Sequence, residues 1–316
     1  MLLRPGKTCD EAIKFLDTLT QQGLNDVQHS IPHVSMGFEP TFRGDRYELD
    51  EKVAHARRAY DQWTLAATTE LLAVFADRSV PARMRGERYN SIVHGNFTPS
   101  RWTQLLNAEL QELRTYFMEL ANTLRETQER YKHHQVRTVV LDTNDLLHHM
   151  RYDKIPWHTV FGKGTVVVIP HVVVDEIDKK SYAASDSVRK RARGVFALLE
   201  ETLSAIEDEG RAVMTGGTVV EVLLDEPGHV RLPNNDDEIV ARACYLQQAI
   251  APTPVTVVTG DNGMRARALA WGLKARRLDE KYNIERLTAA QKDENLAAIT
   301  FDVPEGRDST AAGGTT

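Results

Sequence analysis

Four carboxylate side chains in the second half of the chain stand where acidic residues often do chemistry. Asp142 and Asp261 follow short apolar runs, whereas Glu176 and Asp237 lie in the first part of helical patterns. A single acid at such a position usually caps a helix. Four that converge repel one another and raise one another's pKa, so a divalent cation normally neutralises such a cluster. Because the set contains no Cys or His, the expected ion is Mg²⁺ or Mn²⁺ rather than zinc.

The elements that would bring these acids together are predicted from the hydrophobic pattern after Val136. Short apolar runs alternate there with helical periodicity, which is typical of an α/β fold with a parallel sheet and helices on both faces. In this architecture ligands bind outside the carboxyl ends of the strands. The predicted strands are 138–141, 165–169, 219–224 and 255–258, and the predicted helices are near 172–180, 188–206, 237–250 and 264–271.

The first 135 residues show only helical periodicity. Thr8 and Glu11 can form a capping box at the start of a first helix. A second apolar stripe occupies residues 53–74, and a third, over residues 106–124, repeats at alternating steps of four and three. We expect the second and third helices to pack as a long antiparallel hairpin; the alternative is a homo-oligomer formed through these N-terminal helices.

The composition excludes several classes of protein. The chain has 316 residues, a net charge of −6 and 41% apolar residues, which excludes a disordered or collagen-like chain. Two cysteines, Cys9 and Cys244, provide neither a disulfide framework nor a zinc spacing, and they favour a cytoplasmic location. The start of the chain has no apolar leader, and Pro170 and His171 interrupt its longest apolar stretch. We therefore expect no contact with a membrane.

Four short motifs that contain the acids resemble those of the PIN-domain nucleases, in the usual order. They are LDTNDLL at 141–147, VVDEID at 173–178, NDDEIVA at 235–241 and VTGDN at 258–262. The resemblance covers about residues 136–278, and it implies a parallel five-stranded α/β/α sandwich with metal-dependent hydrolysis of RNA. The expected organisation is a helical region at 1–135, a PIN-like nuclease domain at 136–301 and a disordered tail at 302–316.

The resemblance places Asp142, Glu176, Asp237 and Asp261 in the four acidic positions of that family. Hydrolysis of a phosphodiester requires stabilisation of negative charge on the scissile phosphate, activation of a water and help for the leaving 3′ oxygen, which one or two Mg²⁺ ions can supply. We predict that Asp142, Asp237 and Asp261 are metal ligands. Glu176 is predicted to be a ligand or a base that orients the water.

Two neighbours of these acids are predicted to support them. Asn144 matches the polar residue that follows the first acid in the family, where it would hold Asp142 by hydrogen bonding. Asp236 and Asp237 are adjacent, and we prefer Asp237 as the third acid because it directly precedes the helical segment that begins at Glu238. Asp236 is then expected to cap the helix or to support the ligands.

Other readings of the same residues fit less well. A nicotinamide-binding domain needs a glycine-rich turn after its first strand, but the next glycine after Leu141 is Gly162. A phosphatase of the haloacid-dehalogenase type needs a second aspartate two residues after Asp142, where Asn144 stands. Two alternatives stay open: a PIN-like module that binds RNA or a partner protein without cutting, and a structure-specific DNA nuclease.

A cluster of basic residues flanks the helix predicted to carry Glu176. These residues could line a path for the phosphate backbone of an RNA substrate. The alternative is a solvated helix face. The cluster comprises Lys179, Lys180, Arg189, Lys190, Arg191 and Arg193.

Overall fold

The computed structural model describes residues 2–33, 43–214, 216–288 and 291. The tail predicted to be disordered, residues 302–316, lies outside the described residues. The chain divides into two compact units. The helical unit is Met1–His133 with Tyr245–Ala251, and the sheet unit is His134–Cys244 with Pro252–Thr316.

The described part of the helical unit is built from helices. They are α1 (Cys9–Thr18), a π-helical segment (Leu19–Gly23), α2 (Leu24–Ser30), α3 (Arg43–Val74), α4 (Ser79–Ala82), a 3₁₀ turn (Arg83–Arg85), α5 (Glu87–His94) and α6 (Pro99–Tyr131). Thr8 caps α1: its hydroxyl accepts a hydrogen bond from the Glu11 N–H, and the Glu11 carboxylate accepts one from the Thr8 N–H. The predicted capping box is therefore present.

The apolar stripe of α6 is buried within the chain. Its antiparallel partner is α1, because Asp10 accepts a hydrogen bond from Gln128 at 2.8 Å, whereas Asp17, further along α1, pairs with the earlier Arg125 at 2.8 Å. The predicted partner, α3, also contacts α6, but less extensively than α1 does. Helical periodicity shows that a face is buried but not which helix covers most of it. The buried residues of the stripe include Leu106, Leu110, Leu113, Phe117 and Leu124.

The sheet unit is built on a six-stranded sheet. The strands are β1 (Arg137–Leu141), β2 (Thr165–Pro170), β3 (Ala212–Met214), β4 (Thr218–Leu223), β5 (Val255–Val258) and β6 (Lys274–Arg276). Their order is β3-β4-β2-β1-β5-β6, with Val140 opposite both Val168 and Val257. Five strands run parallel, and the edge strand β3 runs antiparallel to β4. The predicted α/β class is confirmed. β3 and β6 escaped prediction because three residues are too few to show a period.

Helices flank this sheet. They are α7 (Thr143–His148), α8 (Trp157–Val160), α9 (His171–Lys180), α10 (Asp186–Glu209), α11 (Asn235–Ile250) and α12 (Asn262–Ala270), followed by 3₁₀ turns at Glu280–Tyr282 and Ile284–Arg286. The last part of α11, from Tyr245, belongs to the helical unit. No helix in the described ranges is both long and apolar enough to cross a bilayer.

The central strands position the acids. β1, β2 and β5 are almost completely buried and rich in Val, as expected where a parallel sheet is covered on both faces. β1 ends directly before Asp142, β2 leads directly into α9, which carries Glu176, and β5 ends shortly before Asp261. Since parallel strands end at the same edge of a sheet, these three acids share one edge.

Candidate active site

Asp142 lies at the junction between β1 and α7. One carboxylate oxygen accepts a hydrogen bond from the Asn144 N–H at 3.4 Å, and the other accepts one from the Thr259 hydroxyl at 2.9 Å. The side chain is only 3% exposed and makes no ion pair with a described Lys, Arg or His. Burial, with the charges of Asp236 and Glu176, raises the pKa of Asp142 despite these two hydrogen bonds. Asp142 is thus a buried carboxylate without a cationic partner among the described residues.

Thr259 connects two of the predicted acids. Its hydroxyl donates to Asp142 and accepts a hydrogen bond from the Asp261 N–H at 3.0 Å, and the residue is fully buried. Asp261 caps α12 by accepting from the Met264 N–H at 3.0 Å. The backbone N–H groups of Met264 and Gly263 hold the pKa of Asp261 below its usual value. The sequence analysis missed Thr259, although a hydroxyl two residues before an acid at a strand end is a usable signal.

Glu176 faces the same edge from α9. The Thr143 hydroxyl donates to one of its carboxylate oxygens, and the Asn235 amide donates to the other at 2.7 Å. Thr143 directly follows Asp142, and Asn235 is the first residue of α11. Glu176 is therefore tied to the starts of two helices, through side chains that the sequence analysis did not single out.

Asp236 and Asp237 both lie in the first turn of α11. The Asn234 side chain caps this helix by accepting from the Asp237 N–H at 3.1 Å. Arg267 of α12 pairs with both acids: its Nη1 is 3.2 Å from Asp236 Oδ2, and its Nε is 2.9 Å from Asp237 Oδ1. One arginine therefore partly neutralises two carboxylates.

Electrostatics favours Asp236 rather than Asp237 as the third acid of the cluster. Burial, with the charges of Asp261 and Glu176, raises the pKa of Asp236, against the lowering effect of Arg267. Asp236 in turn raises the pKa of Asp142. Adjacent residues of a helix point about 100° apart, so the two side chains leave α11 in different directions. These interactions favour Asp236 for the position that the sequence analysis assigned to Asp237, and the choice between the two acids stays a prediction.

The cluster contains the carboxylates of Asp142, Glu176, Asp236 and Asp261. These carboxylates interact through their charges, but they do not form a compact group. The charges of Asp236 and Glu176 raise the pKa of Asp142, and those of Asp261 and Glu176 raise the pKa of Asp236. No three of the four residues, however, form a group of described donor atoms that all lie within 4.8 Å of one another. Their donors are all oxygens, which suits Mg²⁺ or Mn²⁺.

A comparison with known protein families finds a match, which covers the part of the chain that contains these acids. The family model for the PIN domain covers residues 139–279, a range that contains all four acids. Residues 139–279 are a PIN domain. PIN domains are generally nucleases and typically bind divalent metals. A comparison of the chain with curated proteins finds no match.

The PIN domain contains a further buried acid, Asp145, that the sequence analysis did not assign to the site. It lies on α7, is 4% exposed, and has His149 Nδ1 at 3.2 Å from its Oδ1. Burial and the charge of Asp142 raise the pKa of Asp145 to about 7. Its proton therefore responds to the charge of Asp142, which makes it part of the electrostatics of the site.

Asn144 supports Asp142 differently from the prediction. The hydrogen bond comes from its backbone N–H, while its side chain is exposed. The hydroxyl of Thr259 supplies the side-chain contact that was expected from Asn144.

The predicted basic residues of the PIN domain fall into two groups. The arginines have hydrogen-bond or ion-pair partners, whereas the lysines have no ion pair among the described contacts. Arg189 donates to the Ala183 carbonyl at 3.1 Å, Arg191 pairs with Glu285 at 3.2 Å, and Arg193 donates to the Ser181 carbonyl at 3.3 Å. The described contacts include no ion pair for Lys179, Lys180 or Lys190. The three lysines are thus the charges most available to a phosphate.

A second group of possible metal donors lies outside the predicted set. Atoms of Asp225, His229 and Glu238 all lie within 4.8 Å of one another. Glu238 is buried and accepts hydrogen bonds from His229 at 2.7 Å and from the Leu232 N–H at 2.8 Å, while Arg231 donates to Asp225 at 2.5 Å. Since protein donors already satisfy these carboxylates, the group anchors the segment before α11.

Proposed function

We propose that the protein is a metal-dependent endoribonuclease that uses Asp142, Glu176, Asp236 and Asp261. One observation carries the proposal: a buried carboxylate, Asp142, has no cationic partner in the described part of the chain and faces other acids at the carboxyl edge of the sheet. Keeping such a charge in place costs stability unless a cation binds there.

Each acid has its own part in the proposed reaction. Asp142, Asp236 and Asp261 would hold Mg²⁺ or Mn²⁺ through carboxylate oxygens. When bound, the ion stabilises charge on the scissile phosphate and activates water. The Thr259 hydroxyl orients Asp142, and Thr143 and Asn235 orient Glu176 towards the attacking water. No side-chain nucleophile is required, because water itself attacks the phosphorus.

The test is a cleavage assay on the purified protein. Labelled single-stranded RNA, structured RNA and DNA of the same sequence are incubated with Mg²⁺, with Mn²⁺ and with EDTA. We expect internal cuts in RNA that require the metal. Cutting of DNA alone would instead support the structure-specific DNA nuclease. Cutting that persists in EDTA would contradict the metal-dependent mechanism.

A second candidate function is a silent PIN domain that binds RNA or a partner protein. Arg267 favours this function, because its pairing with Asp236 and Asp237 supplies part of the positive charge that a bound metal ion would otherwise supply. In a silent domain, Mn²⁺ would not raise the melting temperature, and Arg267→Gln would lower it. In a nuclease, Mn²⁺ stabilises the wild type, and Arg267→Gln strengthens that stabilisation by removing a competitor.

We further propose a cytoplasmic location. Cys9 and Cys244 are both buried and form no disulfide with each other, and burial raises the pKa of each thiol to about 11. Protonated thiols that form no disulfide suit a reducing compartment. Fluorescence microscopy of the tagged full chain tests the location.

A further inference from the structure

A groove lies beside α7 within the PIN domain. Its volume is about 420 Å³, and it is bounded by α7, α10 and the 3₁₀ turn Ile284–Arg286. Leu146, Leu147, Val195 and Ile284 line it with apolar surface. A cavity of this size and lining can accept a flat ring of the size of a nucleobase.

The groove is close to the candidate site along the chain. Asp142 caps α7, and Leu146 and Leu147 follow four and five residues later. At a rise of 1.5 Å per residue, this places them roughly 6–8 Å further along the helix axis. A strand whose scissile phosphate lies at Asp142 can therefore reach the groove with a neighbouring nucleotide.

The charges on α10 point to an anionic occupant. The first half of this helix carries Arg189, Lys190, Arg191 and Arg193, with Asp186 as its acid, and the second half carries Glu200, Glu201, Glu207, Asp208 and Glu209. A helix macrodipole favours acids at the start and cations at the end. Apart from Asp186, the distribution on α10 is the reverse, so helix stability does not explain it.

Two cations stand at the rim of the groove. Lys190 is exposed, and the described contacts include no ion pair for it. Arg191 is held in place by Glu285 at 3.2 Å and by His148 Nδ1 at 3.3 Å. A fixed guanidinium plane can stack on a base, and a free lysine can contact a phosphate.

We propose that this groove binds a nucleobase of the RNA substrate next to the scissile phosphate, between its aliphatic floor and the Arg191 guanidinium, while Lys190 contacts the adjoining phosphate. The inference rests on the proposed ribonuclease function and adds the substrate contact that the four acids lack. Stacking on a π-face tolerates any base, so the contact positions the strand without selecting a sequence.

Gly194 offers a clean test. It lines the groove on α10, and a Cβ added there would meet no atom within 4 Å. Gly194→Leu therefore fills the groove without straining the backbone, and leucine is a better helix former than glycine. Gly194→Ala is the matched control, since it adds the helix propensity but little volume.

The experiment measures the affinity of the full chain for a labelled single-stranded RNA by fluorescence anisotropy in EDTA, over a range of salt concentrations. Gly194→Leu should weaken binding about tenfold with an unchanged salt slope, because it removes one stacking contact. Gly194→Ala should bind like the wild type. Lys190→Ala should reduce the log-log salt slope by about one, whereas Lys14→Ala in α1 should not.

A modified RNA identifies the occupant. An abasic nucleotide beside the cleaved bond should cost the wild type about as much affinity as Gly194→Leu, and should cost Gly194→Leu nothing more. Equal RNA affinity and cleavage for wild type and Gly194→Leu would overturn the proposal. This is the result expected if the groove bound a peptide instead of a nucleobase. Failure of the ribonuclease proposal would look different, because the wild type itself would then cut no RNA in Mn²⁺.

Discussion

Two buried carboxylates in this chain, those of Glu109 and Asp142, have neighbours of opposite charge. In the helical unit, Glu109 is fully buried and accepts from Arg83 at 2.9 Å, with Arg88 at 3.5 Å from its second oxygen. In the PIN domain, Asp142 is almost as buried, but its hydrogen-bond donors are a hydroxyl and a backbone N–H. The surroundings of Glu109 neutralise its charge, and those of Asp142 add further acids.

This difference separates a structural carboxylate from a functional one. A buried charge is tolerated in a scaffold when cations pair with it. The arrangement around Asp142 is costly in the free protein, and it becomes favourable when a divalent cation binds. The two residues should therefore respond oppositely to removal of their charge.

The largest expected effect is on activity at Asp142. Asp142→Asn should reduce metal-dependent RNA cleavage by about 10³-fold, since it removes a negatively charged ligand. Its melting temperature in EDTA should equal or exceed that of the wild type, because an amide relieves the repulsion from Asp236 and Glu176. Cleavage assays and calorimetry measure both. A variant that cuts at the wild-type rate would remove Asp142 from the site.

The next effect distinguishes Asp236 from Asp237. Asp236→Asn should lower cleavage by about 10²-fold, because its charge acts on Asp142, while Asp237→Asn should lower it by less than about tenfold. The two single variants are matched controls for each other, since both lose a contact with Arg267. The opposite order would restore the position predicted from the sequence.

For Glu109, the carboxylate paired with arginines, we expect a loss of stability rather than of activity. Glu109→Gln should lower the free energy of unfolding by about 1–3 kcal/mol, because Arg83 and Arg88 lose a charged acceptor but are partly exposed and can turn to water. Denaturant titration measures this loss. Activity per folded molecule should stay at the wild-type level, and a selective loss of activity would assign Glu109 a role beyond stability.

The smallest effect concerns pH. The pKa of Asp145 is raised to about 7, so the folded state binds more protons than the unfolded state between about pH 4 and pH 7. The free energy of unfolding therefore falls as pH rises through this window. In EDTA, Asp145→Asn should remove part of this fall, and raise the melting temperature at pH 8 by a few degrees relative to the wild type. An identical pH dependence in both proteins would show that Asp145 titrates normally.

The sequence was sufficient to predict the buried strands and the acids that directly follow them. A run such as Val139–Val140–Leu141 predicts a buried strand, and an acid directly after it must stand at the strand's carboxyl end. The convergence of Asp142 and Asp261 at one edge of the sheet follows from the α/β pattern, whereas the order of the strands does not. The short edge strands β3 and β6 carry no such pattern.

Side-chain partners were not predictable in the same way. Thr259, Thr143 and Asn235 act through contacts that depend on the tertiary fold, and their types alone suit many loops and caps. The choice between Asp236 and Asp237 depends on a rotation of about 100° about the α11 axis, which a sequence with two adjacent acids does not define. The helix that packs antiparallel to α6 was equally undefined.

Binding of Mn²⁺ tests the central claim most directly, because it depends on neither substrate nor assay conditions for cleavage. Mn²⁺ is titrated into the wild type, Asp142→Asn and Glu109→Gln, with free Mn²⁺ measured by electron paramagnetic resonance. We predict that the wild type and Glu109→Gln bind the ion with equal affinity and that Asp142→Asn loses at least about tenfold in affinity. Equal binding by all three proteins would contradict the account, because Asp142 would then hold no cation.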